Sequence, residues 1–250
     1  MHKDELKTLI ESKIILLDGS TGTELIARGM PQGACPEKWI LDNKPIITAL
    51  QEEYVSAGSD IIYTPTFGGN RIKLKEFGLE SEVYSINKEI AELSRIAVGN
   101  RLLFGNIAPT GMFVEPFGDL PFEEAINVFK EQTLALLDGG VDGIVIETML
   151  DIQEARAALI AVQETAPVPV MVSMTFNKDG RTLNGNDPES ALITLQHLGA
   201  DAVGCNCSTG PEDILKLIKL MKPIAKVPLF AKPNAGMPRL EKGRTVFDMS

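Results

Sequence analysis

The sequence predicts an α/β fold, a (β/α)8 TIM barrel, on three observations. Short β-branched apolar runs recur along the 250 residues, amphipathic helical patterns fall between them, and most runs end on a polar or ionisable side chain. Repeated strand–helix alternation implies a parallel sheet. In a barrel all strands point one way, so residues at strand ends converge on one face, where such folds keep their chemistry. A doubly wound sheet is the alternative, but its crevice collects residues from fewer strands.

Seven runs carry the strand pattern: residues 14–17, 60–67, 102–109, 143–148, 168–176, 202–207 and 228–234. Each is bounded by Gly, Pro, Asp or Asn and reads as a buried strand. Helical periodicity covers 46–57, 82–98, 121–137, 151–164, 188–198 and 211–225. In the first of these Ile47, Leu50, Tyr54 and Ala57 share one face. Asp187 before Pro188 offers an N-cap and a first-turn proline, and Glu212 and Asp213 place acids at a positive helix end. Gly58, Gly139-Gly140 and Gly199 follow helices and suit left-handed caps. No Pro- or Ser-rich linker divides the chain, so residues 1–250 read as one barrel domain. The strand count stops at seven, and the sequence ends in GRTVFDMS without an eighth. Seven strands leave two edges unpaired. The expectation is a barrel truncated before its last βα units.

Composition excludes several classes of function. Asp and Glu number 34 against 24 Lys and Arg, a net charge of −10, with no basic cluster. A nucleic-acid partner needs a basic face. Three cysteines make a poor disulfide framework. The run at 14–17 is too short for a signal-peptide core of about 7–15 residues, and nothing approaches the roughly 18 apolar residues of a membrane span. A reduced, cytoplasmic protein with no membrane partner is expected. The only histidines are His2, on a terminus expected to fray, and His197, in a helical pattern. A Ser-His-Asp or Cys-His centre, or a His-rich metal site, has almost nothing to use.

Four places at strand ends carry chemistry. After the first run, Asp18 to Glu24 reads DGSTGTE. It is either a turn with a Thr21-x-x-Glu24 capping box before a helix, or an anion site for a small carboxylate. Glu147 ends a buried strand, which is costly unless the carboxylate is paired. It is either a rim salt bridge or, with Asp18, one of two acids holding an ammonium group. Cys205 and Cys207 flank Asn206, and strand alternation puts both on the same face with Cys207 nearer the mouth. Cys205 reads as a small hydrophobe, and C-x-C alone is too few ligands for zinc. Cys35, in the first long loop, gets no role. Phe230, Lys232 and Asn234 share one strand face. Asn234 is a turn residue or a site residue, and Lys232 is a snorkelling side chain or a Schiff-base nucleophile.

Seven blocks in order, LLDGSTGTEL, YTPTFGGNRIKL, GNIAPTG, DGIVIETMLDIQEA, SMTFNKDGRTLNG, CNCSTGPED and KPNAGMP, resemble the homocysteine S-methyltransferase family, closest to its cobalamin-linked members. The resemblance implies a (β/α)8 barrel binding one zinc through three thiolates, with Cys207 the first ligand. The other two come in that family from a Gly-Gly-Cys-Cys segment that this sequence lacks, and they are expected beyond residue 250. It further implies that Asp18 and Glu147 hold the substrate ammonium, that backbone groups of Gly19 and Ser20 hold its carboxylate, and that Asn234 lies beside the zinc. It gives no role to Cys205 or Lys232. The implied reaction is methyl transfer to the homocysteine thiol, giving methionine. The implied donor is methylcobalamin on a corrinoid-binding domain or protein, with 5-methyltetrahydrofolate as the ultimate source; S-methylmethionine or betaine is the alternative. Aromatic residues are only 6%, with one Trp, Trp39, so a cage for a small methylated cation is not evident and the corrinoid is favoured. Two rival readings stand beside it: a Schiff-base aldolase using Lys232, and a truncated, non-catalytic binding module.

Overall fold

The computed structural model describes residues 1–236 and the backbone of 239–241 and 244–246. Its centre is a parallel sheet of β1 (Ile61–Tyr63), β2 (Leu102–Ile107), β3 (Gly143–Met149), β4 (Val170–Met174), β5 (Ala202–Asn206) and β6 (Leu229–Lys232), neighbours in that order. Each strand returns beside its predecessor after a helical crossover, as parallel pairing requires. The run at 14–17 does not become a strand. It meets the sheet through one isolated parallel bridge, Leu17 to Ile61. The Leu16 carbonyl accepts from Asp60 N and Ile61 N, and Asp18 N donates to the Ile61 carbonyl. Among the described residues it has no partner on its other flank, and Ile14 and Leu16 are 87% and 54% exposed. The expected seven strands are therefore six plus a bridged edge segment.

The helices are α1 (Lys3–Ser12), α2 (Gly22–Ala27), α3 (Pro36–Asp42), α4 (Lys44–Ser56), α5 (Arg71–Lys75), α6 (Val83–Val98), α7 (Phe122–Asp138), α8 (Ile152–Thr165), α9 (Pro188–His197) and α10 (Pro211–Met221). The six helices read from periodicity are α4 and α6 to α10, each within a few residues of its predicted bounds. α10 stops early, passing into a 3-10 turn at Lys222–Ile224, where Pro223 lacks the N–H that would continue it. The Asp187 cap is present, its Oδ1 accepting from Ser190 N at 2.7 Å. The Thr21 capping box is not: the Thr21 side chain makes no cap bond, and Glu24 pairs with Arg28 instead. A short antiparallel pair, β7 (Arg239–Glu241) and β8 (Arg244–Val246), was not anticipated. None of the described helices is long and apolar enough to cross a membrane.

Two apolar layers follow from strand alternation. Outward-facing Ile144, Ile146, Val172 and Val203 pack against α7 to α10 through Phe129, Leu136, Leu159 and Leu195. Inward-facing Ile61, Tyr63, Phe104, Val145, Met171 and Ala202 form a second cluster, joined by Leu6 of α1. The N-terminus, expected to fray, is therefore packed: Leu6 is 1% exposed, and Lys3 reaches Asp201, just before β5, at 2.9 Å. α1 covers the end of the inner core opposite the strand C-termini.

The sheet curls far enough for its two flanks to touch. Lys232, ending β6, meets Asp18, beyond the bridged segment at the other edge, at 2.7 Å. Close strand packing helps hold β6: a Cβ on Gly204 of β5 would lie 2.2 Å from the Phe230 carbonyl oxygen. Gly204→Ala is expected to push β6 away and cost on the order of 1–3 kcal/mol. Urea unfolding with hydrogen exchange checks this; the loss of protection should concentrate at Leu229–Lys232 and spare β2 and β3.

Candidate active site

Where the strands end, a cavity of about 1570 Å³ opens at the mouth and runs down the flank between residues 14–17 and β6. Asp18, Gly19, Ser20, Glu147, Cys207 and Asn234, singled out in the sequence, all line it. So do Tyr63, Asn106, Asn206 and Lys232, to which the sequence assigned no binding role. His197 lies outside it, its Nδ1 against the Ile193 carbonyl at 2.8 Å on the exposed end of α9.

Glu147 points inward like Val145, two residues earlier on β3. Its Oε1 accepts from Asn106 Nδ2 of β2 at 2.7 Å, and its Oε2 from Asn206 Nδ2 of β5 at 3.3 Å. Burial pushes this carboxyl up, against the opposing pull of the Lys232 charge and the Asn106 bond. Asn206 is the hub of the mouth. Its Oδ1 accepts from Thr148 N at 2.9 Å and from the Ser173 hydroxyl at 2.8 Å. Its Nδ2 also faces Thr148 Oγ1 at 2.7 Å and Cys207 Sγ at 3.3 Å. The signal for both asparagines was readable: each interrupts an otherwise apolar strand, LLFGNI and AVGCN, just before its end.

Alternation placed Cys205 and Cys207 on one face, and the structure separates them. Cys205 packs outward with its Sγ 3.5 Å from Met221 Sδ of α10, and burial lifts its thiol to about 12. Cys207 has φ +59° and Ser208 φ +60°. This left-handed step, uncommon for residues with a Cβ, breaks the period of two and turns Cys207 into the cavity. There its thiol lies 3.6 Å from Thr148 Oγ1, raised by burial above the ordinary cysteine value, with Thr148 opposing. Asn234 N is tied to the Thr209 carbonyl at 3.1 Å, which keeps it beside this turn. No three or more His, Cys, Asp or Glu among the described residues are grouped to hold a metal ion. Zinc takes three or four protein ligands; Cys207 suits it as one thiolate donor, and the described residues do not complete the set.

Asp18 is buried and fully engaged. Oδ1 accepts from Lys232 Nζ at 2.7 Å and Oδ2 from Tyr63 N at 2.9 Å. Burial pushes the Asp18 carboxyl up, and Lys232 and Tyr63 hold it against that push. For Lys232 burial works against the charge, but Asp18 and Glu147 outweigh it and hold the ammonium above its ordinary value. A Schiff-base nucleophile needs the free amine, which this setting disfavours. The backbone at Gly19 and Ser20 is pinned by Tyr54, whose hydroxyl donates to the Ser20 carbonyl at 2.7 Å. The Gly19 and Ser20 N–H groups make no backbone hydrogen bond among the described residues. Glu37, missed in the sequence, also lines the cavity. It accepts from Gly68 N at 2.6 Å and from the Cys35 thiol at 3.6 Å, anchoring the loop after β1.

A model of the homocysteine S-methyltransferase family matches residues 15–250. The chain belongs to this family. Among solved structures, the metallated form of the homocysteine methyltransferase MmuM from Escherichia coli superposes with a TM-score of 0.81, at 22% identity, covering 92% of this chain and 87% of that one. That likeness shows a shared fold, into which the curled six-stranded sheet fits as an open barrel. Methionine synthase of Mycobacterium leprae is 26% identical over 257 residues, 95% of this chain, and that of Mycobacterium tuberculosis 25% over 260 residues. The chain spans about a fifth of the length of these curated relatives, 21% and 22%.

Burial of Glu147 gives the fold a pH signature. A carboxyl raised in the folded state favours folding while protonated; that contribution is full below the ordinary glutamate value and is lost as pH rises through the raised one. Glu147→Gln removes the buried charge. Its stability relative to wild type is expected to be more favourable at pH 7.5 than at pH 4.5, measured by urea unfolding at both.

Proposed function

We propose that the chain binds homocysteine in this cavity and serves methyl transfer to its thiol, giving methionine, in a reduced, cytoplasmic setting. One observation carries the reading: a rim thiol, Cys207, lines the same cavity as two buried acids, Asp18 and Glu147, and the backbone N–H groups of Gly19 and Ser20, which have no partner among the described residues. An amino acid presents an ammonium and a carboxylate together, and this wall offers partners for both. Glu147 supplies the acidic side beside the Lys232-paired Asp18, Gly19 and Ser20 the donors for the carboxylate, and Asn234 sits beside the thiol end.

A free thiol near pKa 8.5 is mostly protonated at neutral pH. Zinc, with Cys207 as one ligand and others that the described residues do not supply, would furnish the charge that keeps a thiol deprotonated. The homocysteine S–H loses its proton to solvent, a sulfur–carbon bond forms, and the donor–methyl bond breaks with its electron pair returning to the donor. No histidine base is needed, in keeping with a cavity that contains none. The proposed donor is methylcobalamin on a corrinoid-binding domain or protein, supported by the methionine synthase relatives.

The test is methionine formation by the protein carrying this chain, zinc supplied, with methylcobalamin, S-methylmethionine or betaine as separate donors. Methylcobalamin is expected to be the productive one. Methionine from S-methylmethionine or betaine alone would overturn the donor, and no product from any of them would overturn the reaction. Cys207→Ser is expected to abolish zinc retention and methyl transfer together, read by metal analysis; full zinc stoichiometry would remove its ligand role. Glu147→Gln should weaken homocysteine binding by about tenfold or more and leave zinc content intact, whereas equal loss of both would make the residue structural.

A further inference from the structure

Lys232 stands in the middle of the proposed amino-acid seat, and neither the reaction nor the family likeness uses it. Its Nζ is 2.7 Å from Asp18 Oδ1 and 4.0 Å from the centroid of the Tyr63 ring. A cation over an aromatic face is held by the ring quadrupole, so the ammonium is fixed from two sides. An ammonium has three N–H donors. One goes to Asp18, and among the described residues it makes no other hydrogen bond. Glu147 is close enough for its charge to act on Lys232 yet forms no ion pair with it.

Two further polar atoms at this spot lack partners. Tyr63 Oη and Asn106 Oδ1 are buried with no hydrogen-bond partner among the described residues, and both residues line the cavity. They are 4% and 5% exposed. Buried polar groups are normally satisfied, so a hydroxyl donor beside the lysine and an amide acceptor beside Glu147 point to a ligand that supplies an anionic and a cationic end. Both oxygens of Asp18 are already engaged, by Lys232 and by Tyr63 N. Glu147 is bonded only to the neutral amides of Asn106 and Asn206, which leaves it as the acid without an ion-pair partner and Lys232 as the cation with spare donors.

We propose that Lys232 sets specificity for the carboxylate of the thiol substrate: its ammonium, fixed by Asp18 and the Tyr63 face, is the positive pole of a seat whose negative pole is Glu147. The proposal rests on the homocysteine reading and refines it. The pocket selects a thiol bearing both charges on one carbon, the carboxylate lying between Lys232 and the Gly19–Ser20 backbone and the ammonium against Glu147 and Asn106.

Three chain-matched thiols separate the poles: homocysteine, 3-aminopropane-1-thiol, which lacks the carboxylate, and 4-sulfanylbutanoate, which lacks the ammonium. Binding is measured by titration calorimetry on zinc-loaded protein, with metal content and melting temperature recorded for each variant. Lys232→Gln is expected to weaken homocysteine and 4-sulfanylbutanoate by about tenfold or more and to leave 3-aminopropane-1-thiol unchanged or tighter. Glu147→Gln should weaken homocysteine and 3-aminopropane-1-thiol and spare 4-sulfanylbutanoate, and Lys232→Arg should restore most of the homocysteine affinity. Tyr63→Leu, which keeps the lysine and removes the ring beneath it, should show a smaller loss confined to the two carboxylates, and it serves if Lys232→Gln does not fold. Equal weakening of all three thiols would make Lys232 structural, and tighter homocysteine binding would make it a competitor for the ammonium seat; either overturns the proposal while the function stands. Failure of the wild-type protein to bind homocysteine would overturn the function and this inference together.

Discussion

A charge removed from water must be paired, and the mouth of this barrel is organised around one such pair. Asp18 and Lys232 come from opposite flanks of the sheet, 214 residues apart in sequence, and meet at 2.7 Å. Isolated, either would carry a desolvation penalty of several kcal/mol. Together they join the segment before the first loop to the end of β6, across the open side of the curled sheet. Where the described sheet lacks a continuous ladder, a side-chain contact marks its closure. The same pair places a fixed cation beside Glu147, Asn106 and Asn206 in the cavity.

The remaining site geometry is built from side chains held by their neighbours. Glu147 is fixed from both sides by asparagines of other strands, and Asn206 ties β3, β4 and the Cys207 turn into one network. Such a network is oriented before any ligand arrives, and fixed dipoles need no reorganisation at the moment of binding. The left-handed backbone at Cys207 belongs to the same design. It aims a thiol into the cavity from a strand whose alternation would have buried it against α10, as happened to Cys205.

The chemistry proposed for this mouth is sulfur chemistry. The cavity offers a rim thiol, two buried acids, a paired lysine, backbone donors without a partner among the described residues, and no histidine. Acyl transfer or Schiff-base chemistry would ask for a base or a free amine that this arrangement does not present. The proposed holding of an amino acid by its charged ends, with its sulfur at the rim, draws on these groups and on a metal whose ligand set the described residues do not complete.

Much of this was legible in the sequence. Apolar periodicity identified six strands and the six long helices, because burial imposes periods of 2.0 and 3.6 wherever a sheet is covered by helices. Asp18, Glu147, Cys207 and Asn234 stood out because a polar residue at the end of a buried run has to have a reason. The sequence missed α1, α3 and α5, and it read 14–17 as a strand. An apolar run shows that a segment prefers burial; whether it gains a ladder depends on partners elsewhere in the chain. Tertiary structure alone decided that Leu16 stays half in solvent, that Thr21 does not cap α2, that Cys207 turns inward, and that Lys232 finds Asp18 instead of standing as a free amine. Each of these depends on a contact between distant residues or on a backbone step outside the regular periods, and spacing along one chain encodes neither.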